Sequence, residues 1–212
     1  MNQKLSYDLP MLLFAGMRIV IGRFVHVASI FKTRVLCAMW GIEYKRGLIF
    51  EGPIIISSRK KGQIKIERGC VFNARVSGNL AGMSRPTILD AHYSGSKIEI
   101  GEMSGFSSVT LSVRKNIRIG KRCKIGADTR IYDHDFHSLD PVVRASSQDQ
   151  ETIRSKEVVI GNDVFIGAQS IILKGTKIGD RSIIAAGSVI FGLDVPADSL
   201  VRGNPAQIYK KA

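Results

Sequence analysis

Cysteine is scarce in this chain of 212 residues, with only Cys37, Cys70 and Cys123. They are odd in number, far apart and form no CxxC pair, which argues against a zinc or redox dithiol site and for a reducing, cytoplasmic setting. Long apolar runs are missing as well. The stretches Leu9 to Met17, Phe24 to Phe31 and Val35 to Ile42 are separated by Arg18, Arg23, Lys32 and Arg34, so none reaches the roughly 20 residues of a spanning helix. No small-residue cleavage pattern follows the first run, and a secretory signal is not expected. Acidic residues are few: 18 Asp or Glu against 31 Lys or Arg leave a net charge of +13. Residues 1–61 hold ten of the cations and three of the acids, a charge that suits anionic lipid, an acidic glycan or CoA phosphates. No nucleic-acid motif or aromatic-basic pattern accompanies it, so nucleic acid is not an expected partner.

What the chain does have is a period of six. From Ile160 an aliphatic residue recurs at Ile166, Ile172, Ile178, Ile184 and Ile190, and the same phase holds upstream at Ile119, Ile125 and Ile131. The fifth position is also restricted, as Val164, Ser170, Thr176, Ser182 and Ser188, with Cys123 and Thr129 in the same slot. A helix repeats near 3.6 residues and a strand near 2. A period of six instead predicts a solenoid of short strands and turns, with the aliphatic residue inward, the small residue at a tight corner, and the glycines at position two (Gly120, Gly126, Gly161, Gly167, Gly179) supplying backbone freedom to turns. Cys123, and Cys70 in the weaker unit starting at Ile66, then serve as packing residues. Coils marked at Ile64, Ile98, Ile117 and Val158 are unevenly spaced, which implies insertions within residues 73–97 and about 132–157. Residues 1–50 lack the phase and read as one or two short helices of weak amphipathicity, ahead of a solenoid over residues 51–212.

The run VVIGNDVFIGAQSIILKGTKIGDRSIIAAGSVI and the following VPADSLVRGNPAQIYKK resemble the hexapeptide-repeat acyltransferases, nearest to the galactoside and maltose O-acetyltransferase branch and its relatives in surface-polysaccharide biosynthesis. The resemblance implies an all-β, left-handed parallel β-helix, a homotrimer with sites between subunits, and acetyl transfer from acetyl-CoA to a sugar hydroxyl. An N-acyltransferase acting on an amino sugar and a non-catalytic trimeric scaffold are the alternatives. The family carries a histidine base at the entrance of the inserted loop, where YDHDFHSLD supplies His134 and His137. His134 matches the base and follows the phased unit at Ile131, so it is expected to be the better anchored, with His137 either orienting substrate or only shaping the loop. The resemblance further points to the Ala168 amide for the oxyanion, to Phe165, Ala186 and Gly187 along the pantetheine, to Arg202, Lys210 and Lys211 for CoA phosphates, and to Ser107 and Asp133 at the acceptor. Ser107 stands where relatives place an Asn. Gamma-class carbonic anhydrases share the helix and bind zinc through three histidines. Here His26 and His92 lie elsewhere in the sequence, so no metal is expected. Contact with an anionic membrane from the inner face is a further expectation for the basic N-terminal region.

Overall fold

The computed structural model describes residues 9–58, 63–76 and 82–210. A single helix, α1 (Leu9–Trp40), opens the chain, 32 residues long where one or two short helices were expected. Twenty-one short strands follow, and they form three sheets of seven, eight and six strands in which every pairing but one is parallel. Each turn of the coil gives one strand to each sheet, so the chain winds as a left-handed parallel β-helix with three walls. The wall begins at Glu43–Tyr44, ahead of the expected start at 51.

The six-residue phase becomes vertical columns of side chains. Ile119, Ile160, Ile178 and Val195 stack in one sheet, Ile125, Ile166, Ile184 and Val201 in the next, and Ile131, Ile172 and Ile190 in the third. All are buried, and each such side chain withdrawn from water contributes about 1.5–3 kcal/mol. In the earlier coils the second column is built from Phe50, Phe72 and Phe106 instead, with the last two rings stacked at 4.4 Å.

The fifth position does more than fit a corner. Its polar atom reaches across to the carbonyl at position two of the next coil: Ser104 Oγ donates to Gly120, Cys123 Sγ to Gly161, Thr129 Oγ1 to Gly167, Ser170 Oγ to Ala185 and Ser182 Oγ to Pro196. A buried hydroxyl at each corner is thereby satisfied while tying coil to coil. The position-two glycines have a different role from the one expected. None of Gly120, Gly126, Gly161, Gly167 and Gly179 has a positive φ. A Cβ on Gly120, Gly126, Gly167 or Gly179 would instead come within 2.4–2.5 Å of backbone in the coil above. The left-handed backbone falls at position four, where Arg122, Asp128, Asp163, Gln169 and Arg181 hold φ of 54–60°.

Both ends of the solenoid are covered. At the first coil α1 buries Ser29, Thr33 and Cys37, and Thr33 Oγ1 accepts the N–H of Phe50. Burial in this apolar seam pushes the Cys37 thiol up to about 12, and with Cys70 and Cys123 also buried and raised, all three are packing residues. At the last coil Ala206–Lys210 turns back along Ser199–Gly203 as an antiparallel pair of strands.

Candidate active site

The wall breaks where the sequence phase breaks. After Arg130–Tyr132 the chain leaves the six-stranded sheet, makes a four-residue helix, α2 (Pro141–Arg144), and a single 3₁₀ turn, and returns at Val158–Ile160 in the seven-stranded sheet. Asp135 N–H donates to Arg154 O and Lys156 N–H to Asp133 O, which draws the two ends of the loop together. Asp140 caps α2 by accepting from Val142 and Val143, with Pro141 in the first turn.

Asp133 was expected to face the acceptor; it is completely buried. Its carboxylate accepts the backbone N–H groups of Arg114, Lys115 and Asn116, each at 2.7 Å, so it pins the neighbouring coil and has no face left for substrate. Its Oδ1 also lies 3.0 Å from His134 Nδ1. The His134 side chain is 1% exposed. A carboxylate can only accept, so Nδ1 carries a proton and donates it, which leaves Nε2 as the other ring nitrogen. That Nε2 is buried without a partner, among the rings of Tyr93 and Phe136.

His137 is arranged in the opposite way. Its side chain is 64% exposed, and Nδ1 lies 2.7 Å from Asp149 Oδ2 while Asp149 Oδ1 accepts the Ser138 N–H at the same distance. The Ser138 amide first, then His137, holds the Asp149 carboxyl below its usual range. The ring is therefore held through a proton on Nδ1, with most of the side chain open to solvent. Asp149 was not singled out by the sequence, because nothing periodic links it to a histidine twelve residues away. His92 was likewise read as remote, yet it sits on Asp90 at 2.6 Å with its ring 4.0 Å from Tyr93, whose ring in turn meets His134. Three histidines thus share one corner, each on its own aspartate. Among the described residues no three His, Cys, Asp or Glu are grouped to hold a metal.

The remaining expected residues fall on a different face. Phe165, half exposed, and Ser107 line a groove of about 320 Å³ on the eight-stranded sheet with Lys124, Gly126 and Asn73. Asn73 pairs in register with Ser107 one coil away, a neighbour the sequence could show only once the coil length was known. Ala168 is half-buried, and Ala186 and Gly187 are exposed, at the corner where that sheet meets the six-stranded one. Arg202 is exposed and stacks on Tyr209 at 4.5 Å. Lys210 ends the last strand, and Lys211 lies outside the described residues. The histidines occupy the corner between the seven- and six-stranded sheets, which in a three-walled prism stands opposite the eight-stranded face.

Residues 157–192 match the model for the bacterial transferase hexapeptide of six repeats. A protein of Escherichia coli strain K12 named for lipopolysaccharide biosynthesis O-acetyl transfer is 34% identical over 101 residues, 46% of this chain and 51% of that one. The chain thus spans about half the length of that relative. Two solved structures share the fold. A hexapeptide-repeat acetyltransferase of Vibrio cholerae O1 biovar eltor, in complex with acetyl coenzyme A, is 23% identical with a TM-score of 0.57 over 97% of this chain and 92% of that one. An N-acyltransferase of Bacillus cereus, in complex with dTDP-4-amino-4,6-dideoxyglucose and coenzyme A, is 18% identical with a TM-score of 0.61 over 84% and 88%. The six-residue columns and the coil-to-coil corner bonds extend the matched repeat beyond residues 157–192, and in that repeat this chain is similar to the bacterial hexapeptide transferases.

Proposed function

We propose that the protein moves an acetyl group from acetyl-CoA to a hydroxyl of a saccharide in the cytoplasm, as a step in building a surface polysaccharide. The observation that carries this is the His137–Asp149 pair: an exposed imidazole held through a proton on Nδ1, at the mouth of a loop on a rigid wall. The names of the E. coli relative and the V. cholerae neighbour support the donor and the reaction class. In the proposed step His137 Nε2 takes the acceptor hydroxyl proton as the oxygen attacks the thioester carbonyl. The Ala168 N–H meets the developing oxyanion, and the carbon–sulfur bond then breaks as the proton passes to the departing CoA sulfur. Phe165, Ala186 and Gly187 flank the pantetheine, Arg202 and Lys210 meet the CoA phosphates, and Ser107 with Asn73 faces the acceptor.

His134, expected from the family match and its anchored backbone to be the base, is placed by this reading in a supporting role, since its free nitrogen faces rings rather than solvent. The base corner and the groove stand on opposite sides of the prism, so one chain does not complete the site. A second copy that brings its loop against the groove does, and a closed threefold ring repeats that contact at every interface. Light scattering should give three times the chain mass, and a stable monomer would remove this part of the reading.

Thiol release from acetyl-CoA in the presence of pooled saccharides tests the activity, and no release with any acceptor would leave the non-catalytic scaffold. Acyl transfer to an amino sugar is the second reading, favoured by the nucleotide-sugar complex of the B. cereus neighbour. Ester or amide in the product separates the two.

A further inference from the structure

One face of α1 packs on the first coil; the opposite face is bare and apolar. Val20, Phe24, Val27, Phe31, Val35 and Met39 are each 40–75% exposed. They recur every three or four residues, so they form one stripe that runs for roughly 30 Å at 1.5 Å per residue. The buried Ser29, Thr33 and Cys37 lie on the other side of the same helix. The weak amphipathicity read from the sequence has this cause: two apolar faces on opposite sides cancel. A monomer seldom leaves such a strip in water.

We infer that this stripe lies in the surface of an anionic lipid bilayer. The charge decides among occupants. Between Leu9 and Trp40 there is no Asp or Glu, while Arg18, Arg23, Lys32 and Arg34 are distributed along the helix. Arg34 is exposed directly beside Val35. At the inner edge a groove of about 290 Å³ between α1 and the first coils has Phe24, Val25 and Ala28 on its helix side and Lys32 and Arg75 on its margin. Glu51 is the one carboxylate there, and it is engaged by His26 and Arg75. A second copy of the helix would bring like charge against like charge, whereas acidic headgroups answer it. Among the described residues no helix is long and apolar enough to cross a membrane. Lys32 Nζ donates to the Gly52 carbonyl, so Arg34 is the exposed cation beside the stripe; it places the helix along the surface, with its rings among the acyl chains and Arg34 at the phosphates.

The experiment is co-sedimentation of the full chain with vesicles of mixed phosphatidylglycerol and phosphatidylcholine and with phosphatidylcholine alone, at low and high salt, with light scattering on the same samples. Deleting α1 is a poor test because it uncovers the first coil. The double variant Phe24→Ser/Phe31→Ser changes the bare face and its edge at the groove while leaving Ser29, Thr33 and Cys37 in place, and Ile55→Ser removes a half-exposed apolar side chain on the wall. The expected result is binding to the mixed vesicles that salt weakens, an affinity at least about tenfold lower in the double variant and in Arg34→Glu, and no change in Ile55→Ser. Absence of binding by the unaltered chain, or equal binding by the double variant, overturns the inference. So does a fall in assembled mass in the double variant when the unaltered chain ignores vesicles, because the stripe is then buried between copies. Equal binding to both vesicle types at either salt overturns the choice of an anionic surface.

Discussion

Between Ile160 and Val201 the wall is held by shape: isoleucine on isoleucine, glycine against backbone, and, at Ser170 and Ser182, a small hydroxyl reaching the next coil. Between Asp133 and Ser155 the loop has little of this, and only Ile153 among its apolar side chains is buried. It is held by three aspartates, each accepting backbone N–H groups: Asp133 at its root, Asp149 at its middle and Asp140 at α2. The wall tolerates no added volume and the loop no lost acceptor. The loop's polar contacts hold His137 on Asp149 and still leave its ring outside, a rigid mount with an open side, which is what the proposed base needs.

The largest test of this contrast is the loop's own division of labour. His137→Ala should lower kcat by about 10²- to 10⁴-fold, the usual worth of a general base, with the melting temperature unchanged. His134→Ala should instead lower the melting temperature through the cavity it leaves. Steady-state kinetics and thermal melts on both variants decide, and a larger turnover loss in His134→Ala would return the base role to it. In the wall, Gly167→Val places a Cβ 2.4 Å from the Ala186 nitrogen, and a denaturant titration should show a loss of about 3 kcal/mol. Asp133→Ala strands three backbone donors at the root of the loop and should cost about 2 kcal/mol by the same titration, with the Gly167 region unaffected in hydrogen exchange. The mildest probe is acid. Asp149 has its carboxyl lowered by folding, so its contribution is fully present above the ordinary carboxylate range near pH ~4 and is lost as pH falls through the lower folded value. Hydrogen exchange at Ser138 should stay slow down to that range and quicken only below it, while the Ile160 to Ile190 columns keep their protection.

The columns were legible because one residue in six has no alternative to the interior, so a strict period in the chain becomes a strict stack in space. The corners were half legible. Small residues at position five announced a tight place, but the hydroxyl's reach to the next coil depends on a partner fourteen or more residues away. Glycine at position two invited a conformational explanation, whereas what it avoids is a collision with another coil. The first coils were hidden by Phe50, Phe72 and Phe106 standing where isoleucine stands later, and part of the supposed insertion at 73–97 is the wall strand Thr87–Ala91. In the site, the histidine pair was visible as a motif, but the sequence did not show how differently the two are set: His134, close to the wall, is buried, and His137 is exposed. Asp149 and Asn73 have no local pattern because each acts through a partner brought by the winding of the chain.

A parallel β-helix has no natural last coil, since each rung presents amides and carbonyls ready for another. In this chain Ala206–Lys210 runs the wrong way to be continued by a parallel rung, and α1 covers the opposite end with a surface that forms no strand at all. The edge of the eight-stranded sheet is therefore closed to a parallel rung at the last coil, and at the first coil an added rung would meet a helix. Stacking of copies end to end meets an obstacle at each of these two places.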